Sequence, residues 1–109
     1  MFEKANHPIP NLEGVFESLK TPQAKAALCL AIENIQVLDR KQLDYGPENI
    51  SVFGEFGVLV RSSDKLERLK NLHKSGNATA ATSESISDSW MDLANYALIA
   101  VLLRKGLWK

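Results

Sequence analysis

The sequence predicts an all-α fold, on three observations. Apolar residues recur at helical spacing along most of the 109 residues. No segment alternates apolar and polar residues in the way that a half-buried strand does. Helix-start signals and glycine–proline breaks divide the chain into pieces of helical length. A chain this short forms one domain with a modest core, so we expect a bundle of about three or four helices that dimerisation completes.

Residues 1–20 are expected to be a lead-in to the helical domain, which takes up residues 21–109. Pro8 and Pro10 favour an extended backbone at the start, and a weak amphipathic turn follows through Val15 and Phe16. Neither feature predicts a substantial element. The folded domain is therefore predicted to begin at Thr21.

The first long helix has a clear start. Thr21 offers a capping hydroxyl, and Pro22 occupies the first helical position, where its missing N–H is not needed. Apolar residues then recur at helical spacing up to about Gln42. Gly46 and Pro47 end the helix, because neither residue continues one well.

The second half of the chain contains two further predicted helices. Residues 50–56 are aromatic-bearing and lie between glycines, and their structure is left open. A second helix is predicted over residues 58–73, followed by a small, polar loop at residues 74–82. Thr82 or Ser83 caps a third helix that runs to about Arg104.

Composition excludes several classes of function. Thirteen basic residues balance thirteen acidic ones, so neither nucleic acid nor an anionic membrane is an expected partner. The N-terminus lacks the apolar core of a signal peptide, and the longest apolar run is too short for a membrane span. The single cysteine, Cys29, has apolar neighbours and is expected to be a buried structural thiol in a reducing, cytoplasmic compartment.

The third helix carries acidic residues on one side. Glu84, Asp88, Asp92 and Asn95 fall within a wedge of roughly 80° when the helix is wound at about 100° per residue. The other faces are largely apolar, which is typical of a buried helix. The acidic residues are therefore expected to point into the protein or into a cleft.

Carboxylates stacked one turn apart repel each other and need a cation. A divalent metal would serve, and oxygen ligands suit Mg²⁺ or Mn²⁺, which makes Glu84, Asp88 and Asp92 candidate metal ligands. Basic side chains of a neighbouring helix would also serve. A third alternative is that the acidic residues only solvate the edge of an interface.

The second helix could supply those basic side chains. Arg61, Asp64, Lys65 and Arg68 lie within about 100° of one another on its wheel. They could neutralise the acidic residues of the third helix or hold a phosphate. A solvated charged face is the alternative.

Three segments together resemble a known family. Residues 41–50, 60–69 and 84–97 read KQLDYGPENI, VRSSDKLERL and ESISDSWMDLANYA. In this order they resemble the phage-associated nucleotide modification associated domain family, over roughly residues 25 to 105. That family is similar in layout to the all-α nucleoside triphosphate pyrophosphohydrolases of the MazG and dimeric dUTPase type. The resemblance implies a cytoplasmic homo-oligomer in a phage-infected or prophage-bearing bacterium.

The resemblance also implies an activity and a site. In those enzymes acidic motifs on two neighbouring helices hold Mg²⁺, which grips a triphosphate while water attacks the α-phosphorus. By this resemblance the metal ligands are Asp88 and Asp92, with Glu84 and Asp64 as further ligands or water-orienting groups. The implied substrate-binding residues are Lys65, Arg61, Arg68, Lys41, Asp44, Tyr45 and Asn95.

The sequence departs from those enzymes by interleaving Lys65 and Arg68 where they have a dense glutamate cluster. A non-catalytic nucleotide binder and a structural subunit of a nucleotide-metabolism complex are therefore alternatives to a hydrolase. Tyr45, Phe53 or Phe56 could stack on a base or be plain core residues.

Overall fold

The computed structural model describes residues 11–75 and 80–108, and the side chains of that second range from Glu84 onward. Every regular element in these ranges is a helix, which confirms the all-α prediction. No helix of the described residues is long and apolar enough to cross a membrane. The elements in chain order are α1 (Leu12–Ser18), α2 (Pro22–Tyr45), α3 (Glu48–Ser51), α4 (Gly54–Ser75) and α5 (Ala80–Arg104).

The chain divides into two compact units, residues 1–40 and 41–109. In the first unit, the Asn11 side chain caps α1 by accepting a hydrogen bond from the backbone N–H of Gly14 at 3.1 Å. The Thr21 hydroxyl caps α2 in the same way, as the sequence predicts. The predicted lead-in thus contains a helix, and residues 1–10 lie outside the described ranges.

Cys29 is exposed, so the expectation of a buried thiol is wrong. Its neighbours along the chain are apolar, but successive residues of a helix point in different directions. A local run of apolar residues therefore does not decide which face of α2 is covered.

In the second unit, α2 ends at the predicted glycine. Gly46 has a φ of +78°, a left-handed conformation that a side chain would disfavour, and its N–H donates to the Gln42 carbonyl at 2.8 Å. The indole N–H of Trp108 donates to the Pro47 carbonyl at 2.9 Å. The turn after α2 is therefore tied to the C-terminal end of the unit.

Helix boundaries differ from the prediction around the second and third predicted helices. The open segment at residues 50–56 forms the end of α3 and the first turn of α4, which begins at Gly54 with a φ of +65°. The predicted loop at 74–82 is shorter than expected, because α4 continues to Ser75 and α5 begins at Ala80. Residues 76–79 lie outside the described ranges.

Helices α4 and α5 form an antiparallel pair. Lys65 pairs with Asp92 and Glu55 with Arg104, so the numbering rises along one helix as it falls along the other. Val58, Leu69 and Ile99 are buried and make up the apolar core among the described residues. This packing brings Lys65 of α4 against Asp92 of α5.

The far side of α5 is not covered in the single chain. Trp90, Leu98 and Val101 are each about half exposed, with Trp90 at 53%. The apolar surface on most sides of this helix predicts that those sides are buried. For Trp90, Leu98 and Val101 that prediction is wrong.

Candidate functional site

Two lysines from different helices converge on Asp92 of α5. The Nζ atom of Lys41, near the end of α2, lies 3.1 Å from Oδ1, and Nζ of Lys65 on α4 lies 2.8 Å from Oδ2. The Asp92 side chain is 20% exposed and that of Lys65 28%, whereas Lys41 is 57% exposed. The cluster is thus sheltered on the α4 side and open to solvent at Lys41.

The charges of this cluster do not balance. Burial raises the pKa of Asp92, but the hydrogen bonds and charges of Lys65 and Lys41 outweigh it, so its pKa lies below the usual value. Asp92 is therefore an anion at neutral pH. Two ammonium groups face one carboxylate, so these three side chains carry one net positive charge, and the exposed carboxylate of Asp88 lies one turn away on α5.

The other acidic residues of α5 are more exposed than Asp92. Asp88 and Glu84 share its side of the helix but are exposed, so the expectation that they point into the interior of the protein is wrong, and the alternative of a cleft stays a prediction. The reason is that helical periodicity shows only which residues share a face, and tertiary packing covers that face only around Asp92. Asn95, one turn beyond Asp92, is buried.

The described residues do not contain three or more His, Cys, Asp or Glu side chains grouped closely enough to hold a metal ion. A metal cage made by the protein alone therefore does not fit them. Mg²⁺ usually takes one or two carboxylates and completes its shell with water and substrate phosphates. Asp92 and Asp88, one turn apart, fit that second arrangement.

Two basic residues of α4 contact two different helices. Lys65 faces Asp92, whereas the Arg61 guanidinium donates to Asn49 of α3, at 3.0 Å to its carbonyl and 3.3 Å to its side-chain oxygen. Sequence reasoning missed Asn49 as a partner. Arg61 thus ties α3 to α4.

Several residues implied by the resemblance are not among the side chains that pair with Asp92. No hydrogen bond or ion pair between described residues joins them to its carboxylate. They are all exposed: Asp64 and Arg68 on α4, and Asp44 and Tyr45 at the end of α2.

A groove of about 540 Å³ runs between α4 and α5. Its end farthest from Asp92 carries the ion pair between Arg104 Nε and Glu55 Oε1, at 2.8 Å. Sequence reasoning missed this groove, because apolar residues at helical spacing do not distinguish a lined cleft from a filled core. The remaining lining includes Phe56, Leu59, Ser62, Leu93, Tyr96 and Ala97.

Residues 41–103 match the model of a family described as nucleotide modification associated domain 1. The chain belongs to this family. The matched segment contains Lys41, Lys65 and Asp92, together with both helices of the groove. Comparison with curated proteins and with solved structures finds no match.

Proposed function

We propose that this protein binds a nucleotide, and that Lys41 and Lys65 hold its phosphates. The observation that carries the proposal is the convergence of two lysines from separate helices on one carboxylate, inside the segment that matches the family. The excess positive charge of this cluster favours an anion. The family's description favours a nucleotide as that anion.

Phosphate would compete with Asp92 for the two lysines. A lysine ammonium is a compact charge with three donors on a flexible stem, so it can turn from a carboxylate to a phosphate oxygen at small cost. Hydrogen bonds between an ammonium and a phosphate are charge-assisted and therefore strong. In the absence of ligand, Asp92 holds both ammonium groups in place.

Mg²⁺, or Mn²⁺, is proposed to accompany the nucleotide. Asp92 and Asp88 would hold the metal together with the phosphates, since they are one turn apart on the same side of α5. The metal would supply neutralisation of the phosphate charge. Asp92, once its lysines turn to phosphate, is a carboxylate in need of a cation.

Hydrolysis between the α- and β-phosphates is the second candidate function. Asp88 and Glu84 favour it, because they are exposed and make no ion pair with the described residues, so they are available to a metal or a water molecule. Against it stands the pairing of Asp92 with lysines, which favours binding over catalysis. The non-catalytic binder is therefore the function that the geometry supports better.

The test is titration calorimetry of the protein with pyrophosphate and a panel of nucleoside triphosphates, with and without Mg²⁺. We expect binding of pyrophosphate and of at least one nucleotide, strengthened by Mg²⁺. Chromatography of the same mixtures after incubation separates a hydrolase, which releases nucleoside monophosphate, from a binder, which does not. If the protein bound none of these compounds, the proposal would be contradicted. A structural subunit would then be the remaining alternative.

We also propose that the protein is a homo-oligomer in the cytoplasm of a phage-infected or prophage-bearing bacterium. Its exposed apolar residues on α5 support self-association, and the resemblance to phage-associated proteins supports the setting.

A further inference from the structure

The groove between α4 and α5 comes within one turn of the lysine cluster along the axis of each helix. Ser62, in the groove wall, lies one turn before Lys65 on α4, and Leu93 is the direct neighbour of Asp92 on α5. From Val58, further down the groove, to Lys65 is about 10 Å along the helix axis, at 1.5 Å per residue. A ligand of nucleotide length could therefore reach from the groove to the lysines.

The walls of the groove have the chemistry of a small-molecule site. Its volume lies within the range of about 300–1,000 Å³ that is typical of ligand sites, and such sites have apolar walls with a few polar groups. Phe56, which is 71% exposed, offers an uncovered aromatic ring at the wall. Ring stacking on an aromatic side chain is a common way to hold a nucleobase.

Besides the Glu55–Arg104 ion pair at its far end, the groove has one polar side chain on each helix. The Ser62 hydroxyl donates to the Val58 carbonyl at 2.9 Å, so its proton is used and its oxygen remains an acceptor. Tyr96 adds a phenol on the opposite wall. A hydroxyl- and amine-bearing ligand suits these groups better than a purely apolar one.

We infer that this groove binds the nucleoside part of the nucleotide, with the base against Phe56 and the phosphates directed towards Lys65. The inference rests on the proposed function, since it places the rest of the same ligand. It makes the groove, and not the lysine cluster, the part of the site that selects the base and sugar. The competing occupant of an apolar groove is a second copy of the chain.

The experiment compares Ala97→Phe with Ala94→Phe in the full chain. Both alanines are exposed residues of α5, so the two changes have similar effects on the helix itself, but only Ala97 lines the groove. Affinity for a nucleoside triphosphate and for pyrophosphate is measured by calorimetry with Mg²⁺. We expect Ala97→Phe to weaken triphosphate binding by about tenfold or more and to leave pyrophosphate binding unchanged. Ala94→Phe should change neither.

A second variant, Phe56→Ala, removes an exposed ring and so should leave the fold intact. This variant should bind the nucleoside triphosphate more weakly and should bind pyrophosphate with unchanged affinity. Unchanged triphosphate affinity in both Ala97→Phe and Phe56→Ala, with pyrophosphate still bound, would overturn the inference and leave the proposed function standing. Failure of the unmodified protein to bind either compound would overturn the proposed function itself. A change in sedimentation for Ala97→Phe but not for Ala94→Phe, with unchanged nucleotide affinity, would assign the groove to a second copy and overturn the inference.

Discussion

Lys65 and Asp92 form the shortest contact of the lysine cluster, at 2.8 Å, and they come from consecutive helices of an antiparallel pair. Their side chains are both largely sheltered from solvent. An ion pair in such a place is screened less by salt than a surface pair. The contact therefore holds α4 against α5. It also keeps the Lys65 ammonium group next to the proposed phosphate site.

Lys65→Ala should weaken nucleotide and pyrophosphate binding far more than Lys70→Ala. Lys70 is on the same helix but pairs with Glu67 at 3.2 Å, where both side chains are exposed. A charge-assisted hydrogen bond contributes roughly 1.5–3 kcal/mol, so the expected loss for Lys65→Ala is about tenfold or more. Titration calorimetry measures both variants. Equal losses would mean that only bulk charge matters and that the phosphate site lies elsewhere.

Asp92→Asn should strengthen metal-free binding of pyrophosphate. The substitution keeps the shape of the side chain but removes the anion that competes for Lys41 and Lys65. We also expect Mg²⁺ to strengthen binding less in this variant than in the unmodified protein, because a proposed metal ligand is lost. Asp88→Asn is the matched control, since Asp88 has no ion pair among the described residues and its loss should leave metal-free affinity unchanged. Weaker metal-free binding in Asp92→Asn would contradict competition between Asp92 and phosphate.

Stability should depend on pH through Asp92. Because its pKa is lower in the folded chain, the carboxylate contributes stability above its unfolded value of about 3.9, and this contribution is lost as the pH falls through the folded pKa. Urea unfolding between about pH 6 and pH 2.5 should show a steeper fall in the unfolding free energy for the unmodified protein than for Asp92→Asn. Asp88→Asn serves as the comparison and should keep the steeper fall. Parallel curves for the unmodified protein and Asp92→Asn would show that the lysine pair does not stabilise the fold.

Self-association should depend on the uncovered far side of α5, where Trp90, Leu98 and Val101 are exposed. A chain of this length covers its apolar surface poorly, and an exposed patch marks an interaction site. We expect a dimer or larger oligomer by light scattering at concentrations on the order of tens of micromolar, and a shift towards monomer in Val101→Glu. A monomeric unmodified protein under these conditions would contradict the prediction.

The sequence determined the class of the fold and the family on its own. Helix caps such as that of Thr21 and the glycine stop at Gly46 depend on a few neighbouring residues, and local chemistry decides them. Recognition of the family also needed only the order of motifs along the chain, and the match over residues 41–103 confirmed it. The exact limits of α4 and α5 were less predictable, because residues near helix ends differ little in propensity.

Only the tertiary structure decided which acidic residue pairs with the two lysines of the candidate site. Helical periodicity places Asp88 and Asp92 on the same side of α5 and makes them equivalent candidates. Packing of α4 on α5 and the position of Lys41 neutralise Asp92 and leave Asp88 exposed. Lys41 and Asp92 are 51 residues apart along the chain, so their contact depends on how helices cross in space, which no local pattern specifies.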